Sequence, residues 1–445
     1  MGVTLDQIIP RLYCILLSKA TKNFSFLPKI MRVVERHYIA RQHQFYKQFD
    51  DLSFLSRNLS DRGKYYMRKP FFTSGSKVAN TRIIRQLSAL LKPTEGSQSF
   101  PAKISNQVLK QVVHDWEDCQ KSRIASDRYL PRFLFLPSIP HYKHTIWGRN
   151  WLSQDNQSIE KRGGDKNNGL LHLSQSDIII STKSQKVIKV RIGLETALYF
   201  VEAAHQKLVT LVDLNSHLIA GIDLGIDRLV ALASNKPTFI PTIYDKKHLK
   251  SIPQGFNQRR AFLVSKLDPG KSTTRQIQQI TFNRNKRLEN YLHQTSLMVK
   301  RLVYEKIILL IIGTNVRNKQ NIKSPKEHQT FVVIPHTHLL KFITYKTELV
   351  GIKVIVTQAS YTNKCRFLDL EPIGKQESYQ GKGGKRGWFR SLNDSRINAD
   401  VNAALNMIIK VNVNSPLEEC HNRIDGFAVS PVRVEPVRKE PQKVG

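Results

Sequence analysis

Between residues 306 and 358 the apolar pattern changes twice. KIILLIIG (306–313) is a continuous branched run ending in glycine, HTHLLKFITYKTELV (336–350) has helical spacing, and IKVIVTQ (352–358) is β-branched again. A strand, a helix and a strand in that order predict a crossover that sets the two strands parallel in one sheet. The unit therefore commits the C-terminal half to an α/β fold. Upstream, LIAGIDLGIDRLVALASN (218–235) reads as two more apolar strands around a turn at Gly225, and Asp400 to Lys410 as a closing helix.

The rest of the chain divides by periodicity. Residues 1–128 read mostly as helix, clearest from Ile104 to Arg123, where Ile104, Val108, Val112 and Trp116 recur every four positions after Pro101. Residues 129–215 pass through a polar, Gly-rich loop and then HLSQSDIIIST, VIKVRIGL, ALYFVEA and LVTLVDL, a β-rich module expected to form a small barrel or sandwich. Residues 216–412 hold the α/β unit, with a long helix from about Thr274 to Glu305. Residues 413–445, with Pro416, Pro431, Pro436 and Pro441, form a tail expected to be extended or disordered.

Charge narrows the class. Seventy Lys and Arg stand against 35 Asp and Glu, a formal net charge of +35. Residues 1–150 contribute +15 and residues 251–350 contribute +12. Basic side chains that neutralise phosphates gain free energy from counterion release, so a nucleic acid is the expected partner. The longest aliphatic run, Ile307 to Ile312, falls well short of the roughly 20 apolar residues of a membrane span, so no membrane partner is expected. The N-terminus has no convincing secretory signal, and the expected location is cytoplasmic and nucleoid-associated. Cys14, Cys119, Cys365 and Cys420 lie far apart with no CxxC, which argues for reduced thiols and against a disulfide framework or a zinc ribbon.

Asp223, in AGIDLGI, is an acid inside an apolar strand, and burying a carboxylate is costly without a partner or a purpose. Strand, carboxylate, Gly turn and second strand suggest an RNase H-like sheet in which such an Asp holds Mg²⁺; a carboxylate capping a hairpin is the plainer alternative. Asp400, in INADVNAALN, offers a second carboxylate, or an ordinary acid in the first turn of a helix. Two metals acting on a phosphodiester sit roughly 3.5 to 4 Å apart and need bridging carboxylates, so a third acid is expected. The two parallel strands end in IIGTN and VTQASY and supply none.

From about Phe100 to Lys410 the chain resembles the TnpB, or OrfB, proteins, RNA-guided DNA endonucleases encoded by small transposons. The resemblance rests on an ordered series: FPAKISNQVLKQVVHDW, GIDLGIDRLVALASNKPTFIP, KRLENYLHQTS, IIGTNVRNKQN, HQTFVVIPHTHLLKFITYKTELVGIKVI, SYTNKCRFLDLEPI and RINADVNAALNMIIK. It implies a RuvC-like nuclease domain at 216–412, a wedge-like barrel at 129–215 that grips a guide RNA, and a helical recognition lobe at 1–128. It also implies Asp223 and Asp400 as the first and last catalytic, Mg²⁺-binding carboxylates. The middle Glu of the family's EESYTSK-like segment stands here within QASYTNK, with Ala359 at its position and Gln358 beside it. The four-Cys zinc ribbon of many relatives is reduced to Cys365, so the resemblance implies no zinc.

The implied partners are a guide RNA and a target DNA. Candidate nucleic-acid contacts are Arg284, Lys286 and Arg287 on the long helix, Arg317, Lys319 and Lys323 after the IIGTN strand, and Lys382, Lys385, Arg386 and Arg390 around Trp388. Asp227, Glu348, Asp369, Glu371 and Glu377 are the nearby acids that could replace the missing Glu, though none lies at a strand end. The expected function is RNA-guided DNA binding with cleavage lost or weakened. The alternatives are an active Mg²⁺-dependent endonuclease and a basic RNA-binding protein without a programmable guide.

Overall fold

The structure, a computed structural model, describes residues 30–74, 81–91, 102–128, 137–155, 159–160, 169–173, 176–183, 186–196, 198–210, 212–225, 228–270, 273–314, 336–379, 387–390, 396–411 and 431–435. The run after Lys306 forms the strand its composition demands. This β11 (Ile307–Thr314) lies between β8 (Asn215–Asp223) and β12 (Lys353–Gln358), parallel to both, with Gly313 opposite Asp223 on one side and Thr357 on the other. Beyond β8 the sheet continues antiparallel through β9 (Val230–Ser234) and β10 (Thr242–Tyr244). Its last strand is β15 (Val432–Val434), parallel to β10. Part of the tail expected to be extended or disordered thus completes a six-stranded sheet, because β10 leaves an edge that the Val-Arg-Val triplet can pair.

Alternation sends successive side chains of these strands to opposite faces, and both faces are apolar. Ala220, Ile222, Leu232, Leu310 and Ile312 pack against Leu288 and Leu292 of α5 (Arg275–Thr295) and Leu339 and Ile343 of α7 (His336–Leu349). Ile219, Ala231, Ala233 and Ile311 pack on the other side against Val401, Ala404, Leu405 and Ile408 of α8 (Ala399–Val411). The helix lies close enough that a Cβ at Gly221 would sit 2.0 Å from the Ala404 carbonyl oxygen. Thr274 caps α5 by accepting from the Ile277 N–H, and the expected long helix breaks after Thr295 into a 3₁₀ turn (Ser296–Met298) and α6 (Val299–Tyr304). The helix α4 (Lys247–Val264), with Pro253 inside it, was not anticipated.

The N-terminal half corrects two expectations. Residues 30–39, placed in a helical lobe, form β1 (Ile30–Ile39), and only then come α1 (Tyr46–Ser74), α2 (Thr81–Leu91) and α3 (Ala102–Arg128). β1 pairs antiparallel with β7 (Leu198–Leu208) and opens a sheet that continues through β6 (Val187–Glu195) to β2 (Leu152–Asp155). A smaller sheet joins β3 (Ile159–Glu160), β4 (Leu170–Leu173) and β5 (Ile179–Ser181). No closed barrel forms among the described residues. The two sheets share one core with Phe49 of α1 and Ile104 of α3, while Trp116 is fully buried among α1, α2 and α3, as its place on the apolar stripe implied. Of LVTLVDL only Leu208 lies in a strand among the described residues. Among the described residues no helix is long and apolar enough to cross a membrane.

Candidate functional site at one end of the six-stranded sheet

β8, β10, β11 and β12 all run the same way, so Asp223, Tyr244, Thr314 and Gln358 mark one end of the sheet. Asp223 closes β8 on the face that carries α8. It is 4% exposed, and its Oδ1 has no hydrogen-bond partner among the described residues. Burial and, secondarily, the charge of Asp400 push its carboxyl up to about 7. A carboxylate oxygen buried without a donor is costly to keep there.

Asp400 stands in the first turn of α8. Asn398, ending β14 (Arg396–Asn398), sets it there: its Oδ1 accepts the Asp400 N–H at 3.0 Å and the Val401 N–H at 3.4 Å. The helix N-terminus favours the charge of Asp400. Two further asparagines of the same motif hold the loop after β12. Asn402 donates to the Cys365 carbonyl and accepts from the Phe367 N–H, and Asn406 donates to the Thr362 and Cys365 carbonyls.

Ala359 opens that loop. Its N–H donates to the Thr314 carbonyl at 3.1 Å, and its Cβ would lie 3.3 Å from a Cβ built on Gly313, the residue opposite Asp223. It is buried among Ile311, Phe367 and Met407, so this side of the site is apolar. Lys410 seals the loop by donating to the Gln358 and Ser360 carbonyls.

Four of the five acids that might have substituted are described, and they are placed elsewhere. Asp369 pairs with Arg366, and Glu371 accepts the Arg366 N–H, both within the turn after β12. Glu348 precedes β12 and lies at the opposite end of the sheet; Glu377 is exposed. Asp227 lies outside the described residues. Among the described residues no three His, Cys, Asp or Glu side chains group so as to hold a metal ion. A donor set of one buried carboxylate, one carboxylate facing an arginine and one alanine does not fit a pair of bridged divalent ions.

That arginine, Arg228, and Asp245 were missed by the sequence reading. Arg228 Nε lies 3.6 Å from Asp400 Oδ2 and its Nη1 3.6 Å from Asp245 Oδ2. The available signal was a lone cation two residues before an entirely buried strand, and an acid immediately after TIY.

The candidate nucleic-acid contacts separate by environment. On α5, Arg284 stacks on Phe256 and Lys286 is engaged by Tyr38 and Glu289, whereas Arg287 is exposed. Arg390 is exposed on β13 (Trp388–Arg390), three residues with Trp388 at the other end. Arg317, Lys319, Lys323, Lys382, Lys385 and Arg386 lie outside the described residues.

A mixed sheet flanked by helices, with two carboxylates gathered at its carboxyl end, defines an α/β fold. The chain shares its fold with Cas12f1 solved by cryo-EM in complex with sgRNA and target DNA, at a TM-score of 0.51 and 13% identity, covering 82% of this chain and 82% of that one. A second cryo-EM structure, a CRISPR-Cas12f ternary complex, aligns at a TM-score of 0.34 and 14% identity over 82% of this chain and 81% of that one. Residues 201–319 match the OrfB_IS605 family model, described as a probable transposase. The resemblance to the TnpB (OrfB) family is therefore borne out, through a stretch that includes Asp223 and β11. No curated protein matches the chain.

Proposed function

We propose that this chain is an RNA-guided DNA-binding protein with a RuvC-like, RNase H-type domain whose DNA cleavage is lost or severely weakened. Guide pairing supplies the sequence, and the protein supplies charge and shape. The observation that carries the reading is the apolar burial of Ala359 at the strand end next to Gly313, where a third carboxylate would have to enter the same face as Asp223 and Asp400. The net charge of +35 and the fold shared with a protein solved on sgRNA and target DNA support the nucleic-acid partners.

The test begins with the RNA that co-purifies with the chain. One scaffold with a defined free end, and DNA retention that fails when that end is mismatched to the target, is the expected result. Heterogeneous RNA with no dependence of DNA binding on its sequence would replace guided binding with a generic basic RNA-binding protein.

A further inference from the structure

At this end of the sheet Asp223 feels the charge of Asp400, and Arg228 stands between Asp400 and Asp245. Backbone pairing fixes its position. Val230 is opposite Tyr244, and the Leu229 N–H donates to the Tyr244 carbonyl at 3.0 Å, which ties together the ends of β9 and β10 where Arg228 precedes one strand and Asp245 follows the other. A Cβ at Gly225 would lie 2.9 Å from the Arg228 carbonyl oxygen, so Arg228 lies close beside the end of β8. On the far side Asn398 fixes the start of α8 and with it Asp400.

We propose that Arg228 is the built-in cation of this site, its guanidinium shared between Asp245 and Asp400 where a divalent ion would need those oxygens. The inference rests on the reading of Ala359 as the place of a missing acid, and it adds a second, independent barrier to metal binding. A guanidinium stays charged at any working pH, and its planar fork serves two carboxylates at once. Separations of 3.6 Å are those of ion pairs and not of short hydrogen bonds, so the contact is chiefly electrostatic. A metal entering beside Asp400 would have to displace a cation already paired with Asp245 and Asp400. Restoring a carboxylate at position 359 alone therefore leaves the site closed.

The experiment is Mn²⁺ titration of the nuclease-treated full-length chain, followed by electron paramagnetic resonance. Wild type, Ala359→Glu, Arg228→Gln and the double variant are compared, each with its Asp223→Ala counterpart as the blank. Stoichiometric Mn²⁺ is expected only in the double variant, with an affinity at least about tenfold above that of Ala359→Glu. Arg228→Lys with Ala359→Glu keeps a cation and should bind like Ala359→Glu alone. Arg228→Met, long and uncharged, carries the same test should the Gln variant not fold. Equal affinity in Ala359→Glu and the double variant would overturn the role of Arg228 and leave the reading of Ala359 standing. Tight Asp223-dependent Mn²⁺ binding by wild type would overturn both.

Discussion

Two buried glutamate and aspartate side chains, one in each large sheet, are treated in opposite ways. Glu202 on β7 is 6% exposed and lies directly across from Arg36 of β1 on one side and Arg191 of β6 on the other. Both arginines donate to it, Arg36 through Nε at 2.8 Å and Arg191 through Nε at 2.7 Å. Asp223 is 4% exposed, has glycine and alanine as its cross-strand neighbours, and leaves one oxygen without a donor. A carboxylate with its partners in register is structural, whereas one buried without them needs a reason outside stability. The first sheet joins distant parts of the chain, and the second keeps an acid poised.

The comparison can be broken at its backbone first. Gly221→Ala drives a Cβ toward the Ala404 carbonyl, which cannot move without α8, and should cost about 3 kcal/mol in urea unfolding. Glu202→Ala should cost about 2 kcal/mol, because it strands two arginines that are themselves partly exposed. Loss of stability in Glu202→Ala smaller than in an exposed-surface control would remove its structural role.

Asp223→Asn should act in the other direction. Its folded-state value of about 7 lies above the usual 3.8, so the folded chain binds the proton more tightly than the unfolded chain. The resulting stabilisation is fully present below about pH 4 and is lost as pH rises to about 7, at up to about 1.4 kcal/mol per pH unit. At pH 8 the Asn variant should be more stable than wild type by about 1 kcal/mol or more, and its stability should be flatter between pH 4 and 7. Urea midpoints across that range measure both effects. The smallest change is Arg287→Ala, expected to alter stability by less than about 0.5 kcal/mol while lowering the salt dependence of nucleic-acid binding by about one counterion.

What was legible in the sequence follows from the range of the interactions. The parallel strands β11 and β12, the helix between them and α8 carry their own periodicity and appear within a residue or two of expectation. Asp223 was visible because it interrupts an apolar strand. β1 was not, because MRVVERHYI alternates partly exposed residues and gains its meaning only from β7, with Arg36 paired to a glutamate 166 positions away. Pro253 and the polar stretch around it hid α4. Arg228 and Asp245 are each unremarkable as letters; only the pairing of β9 with β10 brings together the strand ends beside which they lie.

The most direct measurement of the central claim is incubation of the full-length protein, with its co-purified RNA, on matched double-stranded DNA in Mg²⁺. Stable retention of intact DNA, unchanged in Asp223→Ala, is the result the account predicts. Cutting by the wild-type protein that disappears in Asp223→Ala would contradict it.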